Sequence, residues 1–224
     1  MTLDILAIQQ RLSALGFNPG PIDGVRGPRT DAAVVAFKRS IGFLPRPYIG
    51  PLTLAALMDS APKSEIPWMA EAIRVKGLHE VRDYARLRGW MDRAVFPYDP
   101  REVAWCGSFV ATCLLKWSAT TKLPDNPLGA RNWSHYGLEC TPQMGAIMVF
   151  WRGSRSGWKG HVGFYWGEDD TAFHILGGNQ SNAVTVARVS KDRFLAARQP
   201  LGHRLTGGPI YLSKSGVPLT TNEA

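Results

Sequence analysis

Three residues of the chain could together open an amide bond: Cys106, His161 and Asn179. Cys106 follows Trp105 in "VAWCGSFVATCLLKW" and begins a run in which Phe109, Val110, Cys113, Leu114 and Trp117 recur at the spacing of one helix face. A cysteine reacts as its thiolate, and a helix N-terminus carries roughly half a positive elementary charge that favours that form. A histidine nearby can accept the thiol proton and return it to the departing amine, and a third polar group is needed to set the ring. His161 opens "HVGFYW", where alternation places His161, Gly163 and Tyr165 on one face and Val162, Phe164 and Trp166 on the other. Asn179 lies in "LGGNQSN", just past the next strand, where paired glycines let the backbone turn.

Each of these residues also has a plainer use. A cysteine on an apolar helix face is most often a small core hydrophobe. Cys113, two turns deeper with only apolar neighbours, is expected to be inert core, and Cys140 in "LEC" reads as loop. Three cysteines are too few for a disulfide framework, and their spacing matches no zinc site. No metal and no cofactor are therefore expected. Among the other histidines, His79, His135 and His203 lack a comparable setting, and His174, which also reads as strand, is the rival to His161.

The elements that must hold these groups fall into two blocks. In residues 1–60, "LDILAIQQRLSALGF" puts Ile5, Ile8, Leu12 and Leu15 on one helical face, with Asp4 as N-cap and Gly16 as stop. "NPGPIDGVRGPRT" is a compact turn. Thr30 is placed to cap a second helix with Ala33, Val34, Phe37 and Ile41 inward, and "LTLAALM" makes a third. The expected outcome is a small three-helix bundle. Residues 61–66 read as linker, 67–205 as a second domain and 206–224 as a tail. The second domain begins with helical stretches, "PWMAEAIRVKGL" and "RDYARLRGW", then the Cys106 helix. After a Pro/Asn/Gly-rich excursion the period changes to two in "AIMVFW", "HVGFYW", "AFHIL" and "AVTVARV". Helices followed by a strand meander predict an α+β domain with helices on an antiparallel sheet.

Both blocks resemble known families. Asp23, Gly24, Gly27, Pro28 and Thr30, followed by Ala33, Val34 and Phe37, are similar to the D-G-x-x-G-P-x-T and A-V-x-x-F-Q pattern of the type 1 peptidoglycan-binding domain. Lys38 stands where that family usually has glutamine. The resemblance implies that residues 1–60 bind peptidoglycan, with the Asp23 turn shaping a groove. From Pro67 to Pro200, "AWCGSFV", "GHVGFYWG" and "LGGNQS" resemble the CHAP class of cysteine, histidine-dependent amidohydrolases and peptidases. That implies a papain-like fold with Cys106 as nucleophile, His161 as general base and acid, Asn179 as orienting residue, and the first N–H groups of the Cys106 helix as oxyanion donors. Trp105, Gln180 and Glu80 are candidate substrate contacts. Two positions depart from the family pattern: Gly145-Ala146 replaces Gly-Asp before the first strand, and Gly177 replaces an acid two positions before Asn179.

Composition and charge set the context. The chain has 224 residues, 45% of them hydrophobic, and a net charge of +8, which favours a polyanionic partner. No basic block or nucleic-acid signature is present, so the expected partner is peptidoglycan rather than nucleic acid. No run approaches 18 apolar residues, so no integral membrane segment is expected. "MTLDILAIQQ" has no secretory signal pattern. A monomer made in the host cytoplasm and acting on the wall after release is expected, the layout of a phage endolysin. A tail-associated lysin and a secreted interbacterial amidase toxin share that layout. A wall-binding or virion-associated protein with a catalytically inert CHAP fold is the non-enzymatic alternative.

Overall fold

The computed structural model describes residues 4–59 and 66–212. The described residues fall into two compact units, 4–59 with 210–212 and 66–209. The described residues are α+β: helices first, then a six-stranded antiparallel sheet. The expected linker falls almost wholly on 60–65, and residues 213–224 of the expected tail also lie outside the described residues.

The first unit is built on α1 (Ile5–Ala14), α2 (Pro28–Ser40) and α3 (Pro51–Asp59). Asp4 caps α1, its Oδ1 accepting from the Ala7 N–H at 3.0 Å, and Gly16 with φ of 82° ends it. Ile8, Leu12, Leu15, Ala33, Val34, Phe37, Ile49 and Leu57 fill the core. Two details differ from expectation. Gly27 rather than Thr30 precedes α2, with Pro28 at its first position, because proline's fixed φ suits that place and its missing N–H is not needed there. Thr30 lies inside the helix, donating to the Pro19 carbonyl at 3.0 Å. Ile41, just past the end of α2, is 36% exposed and lies outside the core.

Gln9, buried in α1, holds the "DGVRGPRT" turn together. Its Oε1 accepts from the Asp23 and Gly24 N–H groups, while its Nε2 donates to Asp23 Oδ1, the Val25 carbonyl and Thr30 Oγ1. The Val25 N–H and Gln9 lower the pKa of Asp23.

In the second unit α4 (Pro67–Arg74), α5 (Tyr84–Trp90) and α6 (Cys106–Trp117) precede the sheet. The sheet comprises β1 (Leu138–Glu139), β2 (Ile147–Trp151), β3 (Gly160–Glu168), β4 (Ala172–Gln180), β5 (Ala183–Ser190) and β6 (Phe194–Gln199). Their order is β1-β6-β2-β3-β4-β5. The four runs read as strands are β2 to β5. β6 was not expected, since "FLAARQ" has the composition of a helix; its place between β1 and β2 overrides that preference. α6 packs over β3 and β4, with the Phe109 ring 5.8 Å from that of Phe164. At the Gly145-Ala146 departure, Gly145 takes φ of 82° and its carbonyl accepts the Trp68 indole N–H at 2.9 Å. α4 is thereby tied to the start of the sheet.

Candidate active site

Cys106 is the first residue of α6 and is 7% exposed. Trp105 occupies the N-cap position without a side-chain cap, and the first turn contains no acid, so the positive end of the helix is not neutralised locally. Gly107 is required by close packing: a Cβ there would sit 2.1 Å from the Pro127 carbonyl oxygen. The helix start is therefore clamped by the 127–128 backbone.

His161 is 1% exposed in β3, and its Nε2 lies 2.9 Å from Gln180 Oε1. The Gln180 amide is itself fixed. Its Nε2 donates to the Ile175 carbonyl at 3.1 Å and to the Thr185 carbonyl at 2.6 Å. With the amide nitrogen satisfied by carbonyls, Oε1 must face the imidazole as acceptor, so His161 Nε2 carries the proton.

The residue that meets His161 is thus Gln180, expected as a substrate contact, and not Asn179, expected as the orienting residue. The cause is a bulge. Gly177 pairs with Thr185 and Gln180 pairs with Ala183, leaving two residues on β4 opposite one on β5. The extra residue reverses the alternation, so Gly177 and Gln180 face the same side although three positions apart. Asn179 absorbs the irregularity with φ of 57°. A two-residue turn follows, Ser181 and Asn182 at φ of 53° and 62°, the pairing of positive angles typical of a type I′ hairpin. "LGGNQ" is therefore the end of a strand and not the loop expected.

The two consecutive glycines serve different neighbours. A Cβ on Gly177 would come within 2.9 Å of Gln180 Oε1 and 3.2 Å of His161 Nε2. A side chain at position 177 would intrude on that hydrogen bond. A Cβ on Gly178 would lie 2.4 Å from the Trp105 ring and 2.6 Å from Phe109 Cβ. The first turn of α6 and the imidazole of His161 are thus drawn to one end of β4 through adjacent glycines.

Trp105 and Glu80, expected as substrate contacts, are both enclosed by protein and meet each other. Trp105 is fully buried and Glu80 is 6% exposed; the indole N–H donates to Glu80 Oε2 at 2.8 Å. Glu80 sits on a segment that runs beside β5, its N–H donating to the Asn182 carbonyl at 2.8 Å. The pair therefore ties the residue before Cys106 to the β4–β5 turn.

The remaining cysteines differ from Cys106 in setting. Cys113 is fully buried, and burial followed by the charge of Glu71 pushes its thiol well above the usual range. Burial pushes Cys140 up to about 11. Among the described residues no group of three His, Cys, Asp or Glu side chains is placed to hold a metal ion. No helix among them is long and apolar enough to cross a membrane. A groove of about 800 Å³ opens at the other end of α6, lined by Trp117, Lys122, Asn126, His135 and Tyr136 among others.

Residues 2–57 match the family model described as "Putative peptidoglycan binding domain". This covers the three helices of the first unit and the Asp23 turn, and it supports peptidoglycan as a partner and an association with the cell wall. No curated protein and no solved structure matches the chain.

Proposed function

We propose that the second unit is a cysteine-dependent peptidoglycan hydrolase that cuts an amide in the peptide stem or cross-link, while the first unit holds the wall. The observation that carries this reading is the imidazole of His161 held by a clamped Gln180 amide at the same end of the sheet as the Cys106 helix start. A CHAP-like, papain-like domain with Gln180 in the orienting role accounts for all three residues. In this scheme His161 Nδ1 removes the Cys106 proton as Sγ attacks the amide carbon. The oxygen takes the charge, facing the uncapped N–H groups of α6. Collapse breaks the C–N bond, and imidazolium returns the proton to the departing amine. Water then enters, losing a proton to His161, and displaces Sγ from the thioester to leave a carboxylate.

The test is mass spectrometry of muropeptides released from purified sacculi by the full-length chain. A new amine with its matching carboxyl is the expected product. Release of N-terminal alanine identifies an amidase; free amines at the cross-link identify an endopeptidase. Cys106→Ala should release nothing, iodoacetamide should abolish the reaction, and EDTA should leave it intact. Cleavage that survives Cys106→Ala overturns the proposal.

A further inference from the structure

The β2–β3 loop, residues 152–159, carries features that neither the fold nor the proposed cleavage uses. Trp158 is 83% exposed. Its neighbours Arg155 and Lys159 are exposed, Arg152 is half-exposed, and "RGSRSGWKG" contains no acid. Lys159 Nζ lies 5.7 Å from the centre of the Trp158 ring.

The loop is held in shape from behind. The Arg131 guanidinium donates from Nε to the Lys159 carbonyl, from Nη1 to the Arg155 carbonyl and from Nη2 to the Ser154 carbonyl, each at 2.9 Å. The Arg152 N–H donates to the Lys159 carbonyl at 3.1 Å. Gly160 lets Arg131 approach, since a Cβ there would fall 2.9 Å from Arg131 Cγ. An indole is thus presented to solvent on a preordered backbone, with cations around it. Only Gly160 separates Lys159 from His161.

We propose that this loop is a binding finger for the anionic glycopeptide strand of peptidoglycan, with the Trp158 face against a sugar ring and Arg155 and Lys159 against stem-peptide carboxylates. The assignment rests on the wall-hydrolase reading for its choice of ligand. Charge complementarity supports it, because the strand offers carboxylates and this loop only cations. Preordering supports it as well, since the loop backbone is already fixed by Arg131 and only side-chain freedom remains to be lost on binding. An anionic lipid surface would meet the same charges. Stable membrane attachment, however, takes a broad apolar face or two anchoring signals, and this loop offers a single indole.

The experiment uses ¹⁵N-labelled full-length Cys106→Ala and a soluble disaccharide–tetrapeptide prepared from sacculi. The Trp158 indole N–H resonance is identified by its absence in Trp158→Phe. It should shift saturably on addition of the fragment. Arg155→Gln with Lys159→Gln should weaken the affinity read at that resonance by about tenfold and flatten its dependence on salt. Because these side chains are exposed, none of the substitutions removes core packing. A Trp158 resonance unmoved by fragment concentrations that shift signals of residues 4–59 overturns the proposal. So does unchanged affinity in the double variant. A resonance moved by phosphatidylglycerol vesicles but not by the fragment overturns it in favour of a membrane contact. Binding and cleavage read separately: a shifting resonance in Cys106→Ala, together with a parent chain (Cys106 intact) that releases no muropeptide, removes the hydrolase reading and leaves the finger standing.

Discussion

The two ends of the β3–β4 pair each bury a histidine, and they treat it in opposite ways. At one end His161 meets a neutral amide, Gln180, held by backbone carbonyls. At the other, His174 Nε2 lies 2.9 Å from Asp169 Oδ2, and Arg188 forks onto the same carboxylate at 2.7 and 3.1 Å. Thr171 adds its N–H and hydroxyl to Asp169 Oδ1. Burial alone would raise the Asp169 pKa, but Arg188, Thr171 and His174 together hold it well below the usual carboxylate range. A carboxylate stabilises imidazolium and so favours a fixed charge; an amide orients the ring in either charge state. An amide partner is compatible with a ring that gains and loses a proton, whereas the Arg188–Asp169–His174 cluster is a charged lock suited to a structural strut.

The comparison is broken most directly at the histidines. His161→Ala should reduce wall cleavage per folded molecule by at least about 10³-fold, the loss typical of removing one member of a nucleophile–base pair, and should also lower the melting temperature because the buried Gln180 Oε1 loses its partner. His174→Ala should leave turnover of the folded fraction within a few-fold of the parent while lowering the melting temperature. Turbidity loss of a sacculus suspension, normalised to folded protein by circular dichroism, separates the two. Equal loss of turnover in both would erase the distinction.

The next largest effect lies in the strut. Asp169→Asn leaves Arg188 without its anion in a buried place, which should cost about 3 kcal/mol by denaturant melting. The pH dependence has a definite sign. A carboxyl held below its ordinary pKa contributes stability above about pH 4 and loses it as pH falls through its folded pKa. The parent should therefore lose stability on acidification below pH 4 more steeply than Asp169→Asn. Parallel profiles would show that Asp169 is not held down by its partners.

At the His161 end, Gln180→Ala should lower turnover roughly 10- to 1,000-fold, since the nucleophile and helix remain while the ring loses its fixed orientation. Asn179→Ala should change turnover by no more than a few-fold. If only Asn179→Ala impairs turnover, the orienting residue is Asn179 after all. Gln180→Glu offers a sharper probe: a carboxylate at this end imitates Asp169, stabilises imidazolium and should move the acid limb of the pH–rate profile.

The one-position difference between Asn179 and Gln180 shows where sequence reading stops. The Cys106 helix was legible because its apolar spacing runs unbroken to Trp117, and His161 because strict alternation follows it. Both are local signals. A bulge is a mismatch between two strands, and no property of "LGGNQSN" alone reveals that one residue of β5 faces two of β4. The glycines and the Asn-bearing turn are visible in the sequence, but by themselves they signal the end of a strand and not a bulge within it. Burial was missed for the same reason. Trp105 and Glu80 are 25 positions apart in the chain, and their hydrogen bond exists only once the 77–80 segment lies beside β5. In the first unit the Asp23 turn was recognised by its residues, whereas Gln9, which holds it, looks like any polar residue of an amphipathic helix.

The smallest expected effect tests the contrast within α6 itself. Cys106 and Cys113 share one helix, separated by two turns, and differ in what surrounds them. The first lies at the uncapped N-terminus; the second is fully enclosed, with a thiol pushed up first by burial and then by Glu71. Cys113→Ala should cost about 1 kcal/mol in unfolding free energy, the loss expected for removing one buried heavy atom from a packed site. Turnover should be unchanged. Iodoacetamide should modify one of these two positions in the native chain, Cys106, and reach Cys113 only after unfolding, because the thiolate is the reactive form and Cys113 is neither ionised nor accessible. Peptide mapping after brief alkylation distinguishes them. Native-state labelling of Cys113 ahead of Cys106 would mean that the helix terminus confers no reactivity, and the nucleophile assignment would fail with it.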